Sequence, residues 1–139
     1  MDTQQAIPDG IKQAKSGWIR YLLIALAFEK FIQHVFVTLA FYFNWGNIDA
    51  TVAVNPDVLM ILGAAVAALF ILSLWGLIAR KKWAIYLIIA LALFDVFGEF
   101  IAQGKIGIEM NVSFLVATAL LILAMIYRKG GTSGMDLSR

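Results

Sequence analysis

Apolar residues in this chain fall in four long blocks, and polar residues gather in the short stretches between them. The blocks run over 18–43, 58–79, 83–102 and 112–127. About 20 mainly apolar residues in a helix cross the hydrocarbon core of a bilayer. No block alternates apolar with polar side chains, as the strands of a membrane barrel do, and a helix satisfies its own backbone in hydrocarbon. The pattern therefore predicts an all-α integral membrane protein, a four-helix bundle over 18–128. A cytoplasmic N-terminal segment, 1–17, and a cytoplasmic tail, 129–139, flank it. Local start signals agree. Asn55 before Pro56 places a capping side chain ahead of a proline at the first helical position. Asn111 is placed to cap the fourth helix in the same way.

The basic residues predict an orientation. Lys12, Lys15 and Arg20 precede the first span, Arg80, Lys81 and Lys82 fill the turn after the second, and Arg128, Lys129 and Arg139 follow the fourth. The two remaining loops hold Lys105 alone. Basic loops stay on the cytoplasmic side, so both termini are expected inside. Aromatic residues mark two interfaces: Trp18, Tyr21, Trp75, Trp83, Tyr86 and Tyr127 at the inner one, and Phe41, Tyr42, Phe43 and Trp45 at the outer one.

The odd-numbered spans open alike. Residues 18–27 and 83–92 match at seven of ten positions, including Trp18 with Trp83 and Tyr21 with Tyr86. Spans two and four also end alike, with Arg80-Lys81 against Arg128-Lys129. This predicts two parallel copies of a helical hairpin, an arrangement in which sites form at the interface between repeats.

Five ionisable residues stand inside the spans: Glu29, Lys30, His34, Asp95 and Glu99. Each costs at least about 2–3 kcal/mol at the bilayer centre, so mutual compensation is expected. Lys30 and Asp95 both lie roughly 18 Å into their spans, and His34 and Glu99 roughly 24 Å. The repeat alignment sets the same pairs against each other. Spacing of four puts Lys30 and His34 on one helix face and Asp95 and Glu99 on another. The expected arrangement sets Lys30 against Asp95 and His34 against Glu99 in the bundle interior, with Glu29 turned about 100° away, near Gln33. The stripe continues through Thr38 and Tyr42 on span one and Gln103 on span three. It stops toward the cytoplasm, where 22–28 and 87–94 are apolar. That one-sided distribution predicts an outward-facing crevice above a dry inner plug. Gly63, Ala64, Ala67 and Ala68 allow close helix contact along span two, and Gly98 is expected to do so between Asp95 and Glu99.

Composition narrows the function classes. The chain is 62% hydrophobic and 14% charged, against roughly 45–50% and about 25% in soluble domains. A net charge of +2 gives no reason to expect a nucleic-acid partner. With no cysteine, thiol chemistry and cysteine-based metal sites are excluded. Residues 1–16 lack the apolar core of a signal peptide. No phosphate loop, nucleophile elbow or dinucleotide fingerprint is present, and no cofactor is expected. His34, Asp95 and Glu99 are metal-ligand types, but Lys30 on the same face opposes a cation, and no metal is expected. Three functions remain. The first is a proton- or ion-coupled transporter or conduction protein, with Glu29, Lys30, His34, Asp95, Glu99 and Gln103 as candidate proton-handling or substrate-binding residues. The second is an intramembrane enzyme doing isomerase-type acid–base chemistry on a lipophilic substrate. The third is an accessory subunit of a membrane complex. The expected surroundings are the lipid bilayer of a prokaryotic cytoplasmic membrane, with a small ion or lipophilic ligand as partner. A homodimer is compatible with a chain of this size.

Overall fold

The computed structural model describes residues 9–103 and 112–132. They form four α-helices and one short 3-10 helix, with no strand among the described residues. The helices are α1 (Asp9–Tyr42), α2 (Pro56–Ile78), α3 (Lys82–Gln103) and α4 (Val112–Thr132), and the 3-10 segment Trp45–Thr51 links α1 to α2. Over Gly17–Tyr42, Pro56–Ile78 and Val112–Gly130 the chain is long and apolar enough to cross a membrane. α3 has a similar length and carries Asp95 and Glu99 in its second half.

Two helices outrun their apolar blocks. α1 begins at Asp9, inside the segment read from sequence as a polar lead, and α4 continues past Arg128 and Lys129 to Thr132. Nothing between Ile11 and Ser16 breaks a helix, and polar residues such as lysine and glutamine are good helix formers outside a membrane. Asn55 caps α2 as its sequence predicts, its side-chain oxygen accepting from the Asp57 N–H at 2.8 Å. Asn111 and Lys105 lie outside the described residues, as does the side chain of Gln103.

The turn from α2 to α3 is closed by its backbone. The Lys81 N–H donates to the Gly76 carbonyl at 2.8 Å, and the Arg80 N–H to that of Leu77 at 3.2 Å. This paired closure requires a left-handed residue after the helix end, usually glycine. Here Arg80 takes it, with φ of 55°. That conformation costs a residue with a Cβ about 1–2 kcal/mol. Arg80→Gly is therefore expected to raise stability by about 1 kcal/mol, read as a higher melting temperature in detergent. An unchanged or lower value would mean that the guanidinium contributes more than its backbone costs.

α1 packs against α2 and α4, and α3 packs against the same two helices. α1 and α3 thus face each other diagonally. Small residues set the helix spacing. A Cβ on Gly63 would stand 2.7 Å from the Thr38 Oγ1, so α1 and α2 touch there without an intervening side chain. Of the other small residues of α2, Ala67 is buried, whereas Ala64 and Ala68 lie on the surface. Gly98 is different from expectation: its nearest neighbour is Phe94 Cε1 at 4.0 Å, so it opens space rather than closing it.

The burial pattern inverts that of a soluble protein. Ile61, Ile71, Ile78, Phe97, Ile122 and Ile126 are exposed, while Lys30 is 1% exposed and ranks among the largest fully buried side chains. A charge inside and isoleucines outside is the arrangement a hydrocarbon solvent selects. An apolar core built on Leu23, Ala27, Phe70, Leu77, Ile88 and Leu120 fills the half of the molecule toward the Arg80 turn, hereafter the basic end. The other half, toward the 3-10 segment, is the linker end.

Candidate functional site

Mid-helix on α1, the interior face carries Lys30 and, one turn on, His34. Asp95 on α3 receives both. Lys30 Nζ lies 3.1 Å from Asp95 Oδ2, and His34 Nε2 lies 3.0 Å from Asp95 Oδ1. The carboxylate side chain is 5% exposed, the imidazole 19%. Depth and the repeat alignment set His34 against Glu99. The structure puts its ring on Asp95 because one carboxylate offers two oxygens, and a lysine stem is long enough to bring Nζ up to the histidine's level.

The lysine has a second partner that the sequence did not reveal. Its Nζ donates to Ser113 Oγ on α4 at 2.8 Å, and this is its well-aligned hydrogen bond. Toward Asp95 Oδ2 the ammonium makes a close ion pair off the hydrogen-bonding direction, so that oxygen counts as buried without an aligned donor. Lys30 thus ties α1 to α3 by charge and to α4 by a hydrogen bond. The imidazole of His34 stacks on Phe70 of α2, with ring centroids 5.6 Å apart and 24° between planes. All four helices therefore meet at this level, and Phe70, fully buried, belongs to the apolar core below it.

Glu29 lies apart from this cluster. Its Oε1 accepts from Gln33 Nε2 on the next turn of the same helix. Its Oε2 and the Gln33 Oε1 are buried without a hydrogen-bond donor among the described residues.

Above the charges, a cavity of about 570 Å³ opens toward the linker end. His34, Asp95, Glu99, Gln33 and Ser113 line its polar part. Glu99 stands one turn beyond Asp95 on α3 and faces the same space. The remaining wall is apolar, with Phe36, Phe41, Phe94 and Phe97 its largest members. This departs from the polar crevice predicted by the residue stripe. Thr38 packs against Gly63, and Tyr42 is exposed, so neither extends a polar path. Phe41, one residue before Tyr42, lines the cavity instead. The cavity is amphipathic: polar at its floor and apolar toward its mouth.

Among the described residues no cluster of three or more histidine and acidic side chains is placed to hold a metal ion. The arrangement can share and relay a proton between imidazole and carboxylate, and it lines a cavity with acceptor-bearing side chains. Comparison of the chain with family models, with curated proteins and with solved structures returns no match, so its function is argued from this site.

Proposed function

We propose that the chain is a four-span membrane protein, with α3 as the fourth span, that moves a proton or small ion coupled to the Lys30–Asp95–His34 cluster. In this reading the helices form a bundle of two parallel hairpin repeats, and both termini are cytoplasmic. The repeat is supported by matched burial: Leu23 and Ile88 are both fully buried, as are Ala27 and Ala92, and Tyr21 and Tyr86 are both exposed. The orientation is supported by Arg80, Lys81, Lys82, Arg128 and Lys129 gathering at one end, where Trp75 and Trp83 also meet with ring centroids 6.2 Å apart.

One observation carries the functional reading. Lys30 and His34 of α1 converge on one buried carboxylate of α3 at the floor of a cavity. A structural ion pair needs one cation. A second, titratable one makes the pairing conditional. Histidine is the side chain whose charge changes most readily near neutral pH. With His34 neutral, Asp95 belongs to Lys30. A proton reaching His34 from the cavity makes it a second cation on the same carboxylate. Lys30 keeps its hydrogen bond to Ser113, and its hold on α3 weakens. Glu99, one turn away in the same cavity, supplies the counter-charge. Protonation would in this way shift α3 relative to α1 and α4, and the two hairpins are the elements that would move.

The test is proton flux into liposomes at two pH values, for the wild type, His34→Gln and Glu99→Gln. Glutamine at 34 keeps a hydrogen-bonding group but cannot carry the proton. Loss of a positioned proton-transfer group typically costs about 10²-fold or more, and flux should fall by that order in His34→Gln. Absence of gradient-driven flux in the folded wild-type protein would defeat the transport reading. It would favour the second one, acid–base chemistry by His34 and Glu99 on a lipophilic substrate, for which the apolar wall of the cavity is the supporting observation.

A further inference from the structure

The cavity has properties that a pathway for protons alone does not need. Its volume, about 570 Å³, lies within the roughly 300–1,000 Å³ of small-molecule sites, whose walls are mostly apolar with a few placed polar groups. A water-filled proton path needs polar lining along its whole length. Here the lining turns apolar beyond His34, Asp95 and Glu99.

The mouth is apolar too. Phe36 of α1 is 60% exposed and Phe97 of α3 is 62% exposed, and both line the cavity. Val37, Phe94 and Ile101 share this double position, facing the cavity while exposed on the surface. Phe36 stands six residues before Tyr42, the end of α1, and Phe97 six before Gln103, the end of α3. Each is therefore about 9 Å short of its helix end. The exposed Tyr42, Phe43 and Trp45 lie at that end, where aromatic side chains meet headgroups. The mouth lies below them, at the level of acyl chains rather than of water.

The floor specifies a head group. Asp95, Glu99 and Gln33 bring acceptor-bearing side chains to the cavity wall. Buried acceptors in native structures are normally matched by donors. The titratable side chains on the cavity wall are His34, Asp95 and Glu99, and no described lysine or arginine lines it. A carboxylate or phosphate head would find no described lysine or arginine on the wall and would bring no donor. A hydroxyl or ammonium head brings donors to acceptor-bearing side chains of this kind.

From this geometry we infer that the cavity binds a single-chain amphiphile with an uncharged or cationic, hydrogen-bond-donating head, admitted from the bilayer past the exposed Phe36 and Phe97. Its head rests against Asp95 and Gln33, and its chain lies along Phe36, Phe41, Phe94 and Phe97. The inference rests on the membrane placement and not on proton coupling.

The experiment uses the full chain in phosphatidylcholine vesicles with three photoreactive probes of equal length: hexadecanol, hexadecylamine and hexadecanoic acid, each with a diazirine near the head. No gradient is imposed. The alcohol and the amine should label cavity residues, and the acid about tenfold less, the equivalent of one lost hydrogen bond of about 1.4 kcal/mol. Gly98 lines the cavity and an added Cβ there makes only ordinary contact with Phe94, so Gly98→Leu projects a side chain into the cavity and should cut labelling about tenfold. Phe97→Trp narrows the mouth from the exposed side and reads the same quantity if the glycine variant does not fold. Equal labelling by the acid, or cavity labelling no stronger than at the surface residues Ile71 and Ile122, overturns the assignment. Labelling without proton flux leaves the assignment standing and removes the transport reading; flux without labelling does the reverse.

Discussion

Lys30→Met is expected to destabilise the protein by about 3–5 kcal/mol, the usual result of removing one partner from a buried ion pair. Methionine fills much of the same volume, so the loss is one of charge and hydrogen bonding rather than of packing. It leaves Asp95, a carboxylate side chain 5% exposed, with His34 as its single cation-forming partner. It also leaves Ser113 Oγ without the ammonium it now accepts from. Asp95→Leu should be as harmful, because it strands an ammonium that is 1% exposed. The double variant should recover most of the loss, since replacing a whole buried pair by apolar residues is often neutral or better. Unfolding of the three variants in mixed micelles gives the cycle. A loss below about 1 kcal/mol in Lys30→Met would match an exposed pair and would show that water reaches the cluster.

Much of this cluster was legible in the sequence, and the limits have physical causes. Block length and composition gave the helices, because hydrocarbon leaves the backbone little alternative. Depth along two antagonistically charged stripes gave Lys30 with Asp95. It misplaced His34, because a level along a helix axis locates a Cα and not the end of a flexible side chain. Glu29 was expected to turn away from Lys30, near Gln33. Its partner is Gln33 on its own helix, the ordinary spacing of four. The serines show a harder limit. Ser73 and Ser113 are each the one serine of an apolar helix. Ser73 donates to the Phe70 carbonyl three residues back, at 2.8 Å, a local bond that any helical serine can make. Ser113 accepts from Lys30, eighty-three positions away. Nothing local distinguishes the two, since the difference lies in which helix stands opposite. The cavity was half legible for the same reason. Polar residues predicted its floor, but its apolar wall looks like any lipid-facing surface until the helices are placed.

The two contact glycines of α2 should respond very differently to the same substitution. Gly63→Ala and Gly76→Ala each add a Cβ that would stand 2.7 Å from an existing atom. At Gly63 that atom is the Thr38 hydroxyl, whose backbone-bound neighbour Cβ is 3.9 Å away. The hydroxyl can rotate, so the cost should stay well under 1 kcal/mol, offset by the better helix propensity of alanine, about 0.8–1.0 kcal/mol. At Gly76 the atom is the Cβ of Ala84, fixed to its backbone, and the Trp83 ring closes the other side at 2.8 Å. The Ala84 Cβ cannot turn away without moving α3. Overpacking of this kind costs about 1–3 kcal/mol, and leucine at the same position should exceed that. The displacement would not stay local. Gly76 fixes the start of α3, which carries Asp95 some 13 residues, or about 18–20 Å, further along to its contact with α1. Gly76→Leu should therefore lower the melting temperature and also weaken the His34–Asp95 pairing, detectable as an altered imidazole signal in NMR, while Gly63→Ala leaves both near wild type. Equal effects at the two glycines would mean that the α2–α3 turn yields as easily as a threonine rotamer, and that α3 is held in place from the cluster rather than from the turn.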